Sequence, residues 1–244
     1  MNDFVYHEEK GILTLDGRVL TAAESIEWLE WFGVEVGNKK MGEFIYDENH
    51  KNHTLNGKKI GSVSNIVEPV SMDYSKAHPG KLWHKSDLGT AFHECIHLFL
   101  ANDLDEDSID DELILPMQQF KEFWTDDEFK GLPSPTIIAI EQPFCNEKLK
   151  YCGKPDLITE DCIYDWKLRK FDPVCDPLRM AGYAGLVNDF PPKRKVVVEF
   201  SLDSGYRVHD ADKKQACPMF RKLLEFYWKK QEFENLCENW RKSI

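Results

Sequence analysis

Residues 151–167, YCGKPDLITEDCIYDWK, decide the fold. Apolar and β-branched residues on both sides of Glu160-Asp161 predict two antiparallel strands, 151–158 and 162–167, joined by a two-residue turn. The pairing that follows from this turn sets Asp156 directly opposite Asp165 on one face of the sheet. This hairpin therefore predicts a pair of facing carboxylates within a β-sheet.

Three charged side chains meet on that face. Lys167 is two residues past Asp165 and shares its face, whereas Trp166 points the other way. Like charges that face each other repel, so two opposed carboxylates with a lysine beside them suggest a bound cation and a reacting water or phosphate. The alternative is a hydrated hairpin on the surface, but the apolar flanks read as buried sheet: Leu157, Ile158, Ile163 and Tyr164.

Bulk composition limits the class of protein. The chain has 244 residues, 42% of them hydrophobic, which is enough for one substantial core or for a core with a small appended lobe. No apolar run approaches a bilayer span, and the N-terminus lacks the pattern of a signal peptide, so we expect a cytoplasmic protein. Seven cysteines without a C-x-x-C pair indicate reduced thiols and disfavour an iron–sulfur cluster.

The net charge of −12 argues against generic nucleic-acid binding, yet basic residues gather around the hairpin. The local field matters more than net charge for steering a phosphate backbone. The residues near the hairpin are Lys148, Lys150, Lys154, Lys167, Arg169, Lys170 and Arg179, followed by 193–195. The last three residues are equally well explained as a solvated loop before a strand.

The order of predicted elements indicates an α/β fold with a central mixed β-sheet flanked by helices. Residues 1–80 read as a β-rich N-terminal extension packed on the core, with one helix that stops at Gly33 and a hairpin turning at Asn56-Gly57. Residues 81–244 read as the core. Its predicted elements are helix 87–101, strand 136–140, the hairpin, helix 176–188, strand 195–200 and a long C-terminal helix. The buried stripe of that last helix is predicted to hold Phe220, Leu223, Leu224, Tyr227, Leu236 and Trp240.

Four short motifs in this order resemble those of the PD-(D/E)XK nuclease superfamily, in its RecB-like branch of phage and bacterial exonucleases. They are GTAFH at 89–93, GKPD at 153–156, DWK at 165–167 and RMAGY at 179–183. EQP at 141–143 resembles the Glu-x-Pro that often precedes the second motif, and GSVSNIV at 61–67 resembles the serine-rich lead-in of phage members. The resemblance implies a restriction-endonuclease-like core.

The resemblance also implies the chemistry. Asp156 and Asp165 would be metal ligands, the Trp166 carbonyl another, and His93 a nitrogen ligand, with Mg²⁺ or Mn²⁺ as the cofactor. Lys167 would orient the attacking water or stabilise developing charge. Glu141 either completes a second metal site or is an ordinary polar residue at a strand end.

By the same resemblance the substrate is DNA with free ends, single- or double-stranded, in phage or bacterial recombination, repair or replication. The resemblance also allows a homo-oligomer or a partner protein from those processes.

Arg179 stands where the family usually has glutamine, and it still reaches a phosphate. Tyr183 either contacts a DNA end or packs in the core. The residues expected to contact DNA are Arg179, Tyr183, Lys154 and Arg169. Gly89 either permits a close approach of the helix start to the sheet or is an ordinary cap.

Two other functions compete with the nuclease. His93-Glu94-Cys95-Ile96-His97 is an H-E-x-x-H pattern, which in zinc metallopeptidases supplies two histidine ligands and a glutamate that acts on water. The third ligand would be Glu112 or Glu122. This interpretation leaves the Asp156, Asp165 and Lys167 constellation unexplained. A catalytically inactive DNA-binding protein on a nuclease fold is the third function, which the intact constellation disfavours.

Overall fold

A computed structural model describes residues 4–7, 12–15, 18–19, 43–47, 52–71, 79–127, 135–187 and 192–243. The helix predicted to stop at Gly33 lies outside these ranges. Among the residues described, no helical segment combines the length and the hydropathy that a bilayer span requires.

The first part of the chain is rich in short strands. Three of them form an antiparallel sheet: β1 (Phe4–His7), β2 (Ile12–Leu15) and β3 (Arg18–Val19). A second small sheet contains β4 (Phe44–Ile45), β5 (Thr54–Leu55) and β6 (Lys58–Lys59). Asn56 and Gly57 both have positive φ, as the predicted turn between β5 and β6 requires. The chain continues into β7 (Gly61–Ser62), α1 (Val63–Val67) and a 3₁₀ turn, Glu68–Val70.

Two helices precede the central sheet. They are α2 (Pro79–Leu100) and α3 (Asp111–Glu122), separated by the 3₁₀ turn Glu106–Ser108; a π-helical turn, Phe123–Asp127, follows α3. The helix predicted at 87–101 is confirmed and begins eight residues earlier. Gly89 lies inside α2, and a Cβ built on it would meet nothing within 4 Å, so its interpretation as a close-approach or cap glycine is wrong.

The rest of the chain contains seven strands and two helices among the described residues. They are β8 (Ile137–Ile140), β9 (Phe144–Asn146), β10 (Tyr151–Gly153), β11 (Leu157–Thr159), β12 (Cys162–Lys167), α4 (Cys175–Ala184), β13 (Arg194–Phe200), β14 (Tyr206–Asp210) and α5 (Ala216–Ser243). Five strands form the central sheet in the order β14-β13-β12-β11-β8. β12 and β13 run parallel and the other neighbours antiparallel, so the sheet is mixed, and α4 connects the parallel pair. The α/β class with a mixed sheet is confirmed.

The hairpin has the predicted register but not the predicted length. Leu157 pairs with Tyr164 and Ile158 with Ile163, and one further step of this register sets Asp156 opposite Asp165. The single strand predicted over 151–158 is wrong. β10 instead joins a separate sheet between β7 and β9, and the chain leaves that sheet before Leu157. Pro155 lies in the break, where its missing N–H removes a ladder hydrogen bond.

Hydrophobic clusters cover both faces of the central sheet. Ile158, Ile163 and Val197 face a cluster with α1, α4 and α5. Leu157, Tyr164 and Trp166 face the opposite cluster, with α2 and α3. Val63, Ile66 and Val67 of α1 are fully buried in the first cluster, so residues 61–67 contribute directly to the core although they fall within the predicted extension. The boundary at residue 80 stays a prediction.

The C-terminal helix packs on the core only through its first half. Phe220 and Leu224 are buried, with Leu223 and Tyr227 partly buried beside them. Leu236 and Trp240, which the apolar stripe places in the core, are 62% and 69% exposed. That part of the prediction is wrong, because a 28-residue helix extends past the helices α1 and α4 that it packs against. Helix 176–188 is likewise shorter than predicted and ends with its C-cap at Gly185.

Candidate active site

Four separate segments bring charged side chains to one end of the central sheet. Asp156 immediately precedes β11, Asp165 and Lys167 lie in the second half of β12, and Glu141 immediately follows β8. His93 reaches the same place from α2. Asp165 and Lys167 share the face of Ile163, as the alternation of β12 predicts. The sheet therefore brings together all five side chains named as metal or catalytic candidates.

His93 lies between two carboxylates and a carbonyl. Its Nδ1 is 3.4 Å from Asp156 Oδ1 and 3.6 Å from Glu141 Oε1, and its Nε2 is 3.0 Å from the carbonyl oxygen of Trp166. Burial disfavours the imidazolium, but the negative charge of Asp156 and the hydrogen bonds to both carboxylates outweigh it and raise the pKa of His93 to about 10. Without a metal, His93 is therefore a cation at neutral pH.

Asp156 is held in its ionised form. Its Oδ2 accepts a 2.7 Å hydrogen bond from the backbone N–H of Trp166. Burial opposes ionisation, but His93, Lys167 and this backbone donor lower the pKa of Asp156 below its ordinary value. The carboxylate that precedes β11 is thus charged and fixed in orientation by the neighbouring strand.

Asp165 and Lys167 form a buried charge pair. Lys167 Nζ lies 2.5 Å from Asp165 Oδ2, and the two side chains are 14% and 2% exposed. Oδ2 has no hydrogen bond of good geometry within the described ranges, so the contact is an ion pair with acceptor capacity left. Burial, reinforced by the nearby charge of Asp156, raises the pKa of Asp165 despite Lys167.

Glu141 points into this cluster. One oxygen faces His93, and the other accepts a 3.1 Å hydrogen bond from Lys154 Nζ. Burial disfavours its ionisation, but His93 and Lys154 lower the pKa of Glu141. The backbone of Glu141 has φ of 44°, unusual for a residue with a side chain, and its N–H donates to the carbonyl of Asp156. This strained conformation lies directly beside the candidate site.

The types of donor atom in this cluster suit a divalent cation, although their arrangement here does not surround one position. Neighbouring ligands of an octahedral ion with bonds of about 2.1 Å are about 3 Å apart, and His93 Nδ1 lies 3.4 and 3.6 Å from its two carboxylate neighbours. Carboxylate oxygens suit Mg²⁺, and a single imidazole nitrogen suits Mn²⁺. Within the described residues, no three His, Cys, Asp or Glu side chains are already arranged around a common metal position. In this arrangement His93 and Lys167 supply the positive charge opposite the carboxylates.

The side chains expected to contact DNA lie in three different surroundings. Arg169 and Arg179 both contact Asp176, with Arg169 one-third and Arg179 one-quarter exposed. Lys154 pairs with Glu141 and so belongs to the carboxylate cluster. Tyr183 is 93% buried in the core, where burial raises its pKa well above the ordinary value. Its position favours the packing alternative.

The basic run at 193–195 does not extend this site. Lys193 Nζ is 2.7 Å from Asp161, and Lys195 Nζ is 2.9 Å from Asp212. Asp161 lies in the turn before β12, and Asp212 follows β14. Both ion pairs are therefore at the start of β12, whereas Lys167 is at its end. The geometry favours the solvated-loop alternative for Lys193 and a strand position for Lys195.

The H-E-x-x-H pattern lies on helix α2, as it must for a metallopeptidase, but His93 and Glu94 lie in different surroundings. His93 turns to the carboxylate cluster, while Glu94 is exposed. Of the two candidate third ligands, Glu112 contacts His84 at 3.2 Å and Glu122 is exposed. This geometry gives the zinc interpretation no support beyond the pattern itself.

Asp176 is the residue that sequence reasoning missed. It is fully buried in the first turn of α4 and contacts Arg169 and Arg179. The signal available in the sequence was the three-residue spacing from Asp176 to Arg179, which makes neighbours on a helix. Its pairing with Arg169 depends on the path of the loop before α4, which the spacing does not show.

Compared with known proteins, the chain matches no protein-family model and has no significant sequence match among curated proteins.

Proposed function

We propose that this protein is a metal-dependent deoxyribonuclease that hydrolyses phosphodiester bonds, working as an exonuclease on DNA ends. The observation that carries the proposal is the convergence of His93, Glu141, Asp156 and the Asp165–Lys167 pair at one end of a mixed sheet. Four of these residues, His93, Asp156, Asp165 and Lys167, lie in the motifs that resemble the PD-(D/E)XK superfamily. The restriction-endonuclease-like core is part of the proposal, supported by a helix before the sheet and by α4 between the parallel strands β12 and β13.

The carboxylates and His93 would hold the cation. Asp156, Asp165 and Glu141 would provide oxygen ligands, and His93 would provide Nδ1. When bound, Mg²⁺ or Mn²⁺ supplies charge neutralisation of the phosphate and lowers the pKa of a coordinated water. The carbonyl of Trp166 accepts a hydrogen bond from His93 Nε2, which fixes the ring so that Nδ1 faces the carboxylates. This role for Trp166 is an alternative to direct coordination.

Lys167 is the residue next to the reacting atoms. Asp165 holds its ammonium group in place at 2.5 Å. An ammonium group there can donate to an attacking water or to a phosphate oxygen as negative charge develops, without any reorganisation during the reaction. Lys154 would act indirectly, through Glu141, because it donates to the Glu141 oxygen that does not face His93.

The proposed substrate follows from charge and resemblance together. Arg169 and Arg179 present positive charge beside Lys167, whereas the chain as a whole is acidic. A local basic cluster in an acidic protein suits recognition of a phosphate backbone at one place on the surface. The proposed setting is DNA recombination, repair or replication in the cytoplasm of a bacterium or of a phage-infected cell.

Degradation of end-labelled linear DNA with Mg²⁺, Mn²⁺ or EDTA tests the proposal. We would compare the wild type with Lys167→Ala and Glu94→Ala. Metal-dependent loss of label that disappears in Lys167→Ala and survives in Glu94→Ala is the expected result, and the order in which 5′ and 3′ labels are lost gives the polarity. Absence of cleavage with either metal would overturn the proposal, and peptidase activity lost in Glu94→Ala would replace it with the zinc enzyme.

A further inference from the structure

The loop between β12 and α4 is held by three carboxylates that no catalytic role explains. The N–H of Phe171 donates to Glu199 Oε2 at 2.8 Å, and the N–H of Asp172 donates to Asp176 Oδ2 at 2.7 Å. Asp172 Oδ1 in turn accepts from the N–H groups of Val174 and Cys175, both at 2.9 Å, and so forms an Asx turn that leads into α4. The segment that follows Lys167 is therefore fixed at both ends.

Asp176 binds two arginines that come from different elements. Its two oxygens accept from the two terminal nitrogens of Arg169, at 3.0 Å and 2.5 Å, in the bidentate arrangement that guanidinium favours. Arg179 Nη1, one turn along α4, lies 3.8 Å from Oδ1. Burial opposes the charge of Asp176, but the hydrogen bonds from Arg169 and from the backbone of Asp172 lower its pKa. It is ionised at neutral pH.

One carboxylate against two guanidinium groups leaves one positive charge in excess. That charge lies close to the catalytic pair, because Asp165 acts on Arg179 and Lys167 acts on Asp176 electrostatically. Arg179 Nε is buried and makes no hydrogen bond within the described ranges. Because Nε is buried while about a quarter of the side chain is exposed, a phosphate would meet Arg179 through its other guanidinium atoms.

We infer that Asp176 is a positioning residue that orients Arg169 and Arg179 to bind the phosphodiester backbone of the substrate beside Lys167. The inference rests on the proposed function. A free arginine side chain loses rotamer entropy when it is immobilised. Asp176 imposes that order before the substrate arrives, so less of the binding free energy is lost to ordering the two side chains.

The variant Asp176→Asn distinguishes a positioning role of Asp176 in DNA binding from a purely electrostatic effect of its charge. The substitution removes a negative charge, so an electrostatic effect alone would tighten DNA binding. Loss of positioning would weaken binding despite the added positive charge. We expect about a tenfold weaker affinity for a fluorescein-labelled oligonucleotide duplex, measured by anisotropy in EDTA over a salt series. In the double variant with Arg169→Gln, the effect should be less than additive.

Asp172→Asn is the matched control. It makes the same charge change just before the same helix. Among the described residues the side-chain oxygen of Asp172 accepts from backbone N–H groups, and asparagine forms the same turn as aspartate. We expect its DNA affinity to be no weaker than that of the wild type. Arg169→Lys is a second variant, which keeps the charge but not the bidentate pairing and should weaken binding as Asp176→Asn does. It keeps the inference testable if Asp176→Asn does not fold, as judged by circular dichroism.

Measurements of binding and of cleavage together distinguish failure of this inference from failure of the proposed function. A wild type that cuts DNA, with Asp176→Asn and Arg169→Lys binding as tightly as the wild type or more tightly, would overturn the inference and leave the proposed function standing. A wild type that binds DNA but cuts none with Mg²⁺ or Mn²⁺, with both variants weakened, would overturn the nuclease proposal and support the positioning role. Failure of the wild type to bind or cut DNA would overturn both.

Discussion

Lys167 Nζ lies 2.5 Å from Asp165 Oδ2, two positions apart on the same strand and both nearly buried. Asp165 also faces Asp156 across the hairpin, so the lysine neutralises part of a site that otherwise concentrates negative charge. A divalent cation would do the same. Lysine and metal are therefore alternative sources of positive charge for the same carboxylates, even though catalysis would need both.

The first prediction follows from this relationship. Lys167→Met should lower the melting temperature of the metal-free protein, because it leaves Asp165 without its counterion in a buried site. Mn²⁺ should then raise the melting temperature of Lys167→Met by more than it raises that of the wild type. Thermal unfolding with and without Mn²⁺ measures both effects. The same variant should lose at least about a hundredfold in nuclease rate.

Lys170→Met controls for the loss of one positive charge near the site, since Lys170 is exposed and lies three residues further along. It should shift neither the melting temperature nor the response to Mn²⁺. An equal response of Lys167→Met and the wild type to Mn²⁺ would mean that the metal binds away from Asp165.

The second prediction concerns the backbone at Glu141, whose φ of 44° is unfavourable for residues with a Cβ. Glu141→Ala and Glu141→Gly remove the same carboxylate, but only glycine adopts this conformation without strain. In the absence of metal we expect Glu141→Gly to be more stable than Glu141→Ala by about 1 kcal/mol. Urea unfolding followed by circular dichroism measures the difference. Equal stabilities would show that the positive φ is not retained in the variants.

Both Glu141 variants also report on the carboxylate itself. Each removes a neighbour of His93 and the partner of Lys154. If Glu141 is a metal ligand, calorimetric titration with Mn²⁺ should show about a 10- to 100-fold weaker affinity in both variants, regardless of their difference in stability. Wild-type affinity in both would leave Glu141 as a residue that only fixes Lys154 and His93.

The third prediction is a pH dependence that arises at Asp176. Its folded-state pKa is lowered, since Arg169 and the backbone of Asp172 outweigh the effect of burial, whereas the unfolded value is about 3.9. Its stabilising contribution is therefore complete above the unfolded pKa and is lost as the pH falls through the lower folded pKa. The difference in unfolding free energy between the wild type and Asp176→Asn should shrink as the pH falls from about 5 to below 3. A difference that stays constant over that range would contradict the assignment.

The part of the site that was predictable depends on contacts local in sequence. Two apolar strands joined by Glu160-Asp161 admit few registers, and alternation then sets Asp156 opposite Asp165 with Lys167 on the same face. The approach of His93 from α2 came from the family resemblance, since seventy-three positions separate it from Trp166. Pattern and resemblance together thus named the five residues that the fold brings together.

The unpredicted features depend on contacts between distant segments. Apolar residues at 151–153 look like the start of the β11 strand, but they pair with Gly61–Ser62 and Phe144–Asn146 in another sheet. The apolar stripe of α5 continues to Trp240 beyond the part of the helix that the core covers. Asp176 binds Arg169 only because the intervening loop folds back on α4. The periodicity of apolar residues describes one helix or strand at a time, so it predicts none of these contacts between distant segments.

The last prediction tests how α4 is held against α1 and α5. A Cβ at Gly182 would lie 2.6 Å from a ring carbon of Phe220 and 3.0 Å from a methyl group of Val63, so Gly182→Ala should cost about 1–3 kcal/mol of unfolding free energy. Gly89→Ala is the matched control, because a Cβ there meets nothing within 4 Å inside α2, and it should stabilise the protein by about 0.5–1 kcal/mol. Chemical unfolding of both variants measures these opposite signs. Because α4 carries Asp176, Arg179 and Tyr183, a Gly182→Ala variant that remains folded should also bind DNA more weakly than the wild type. A Gly182→Ala variant as stable as the wild type would show that the packing of α4 against α1 and α5 is looser than the structure indicates.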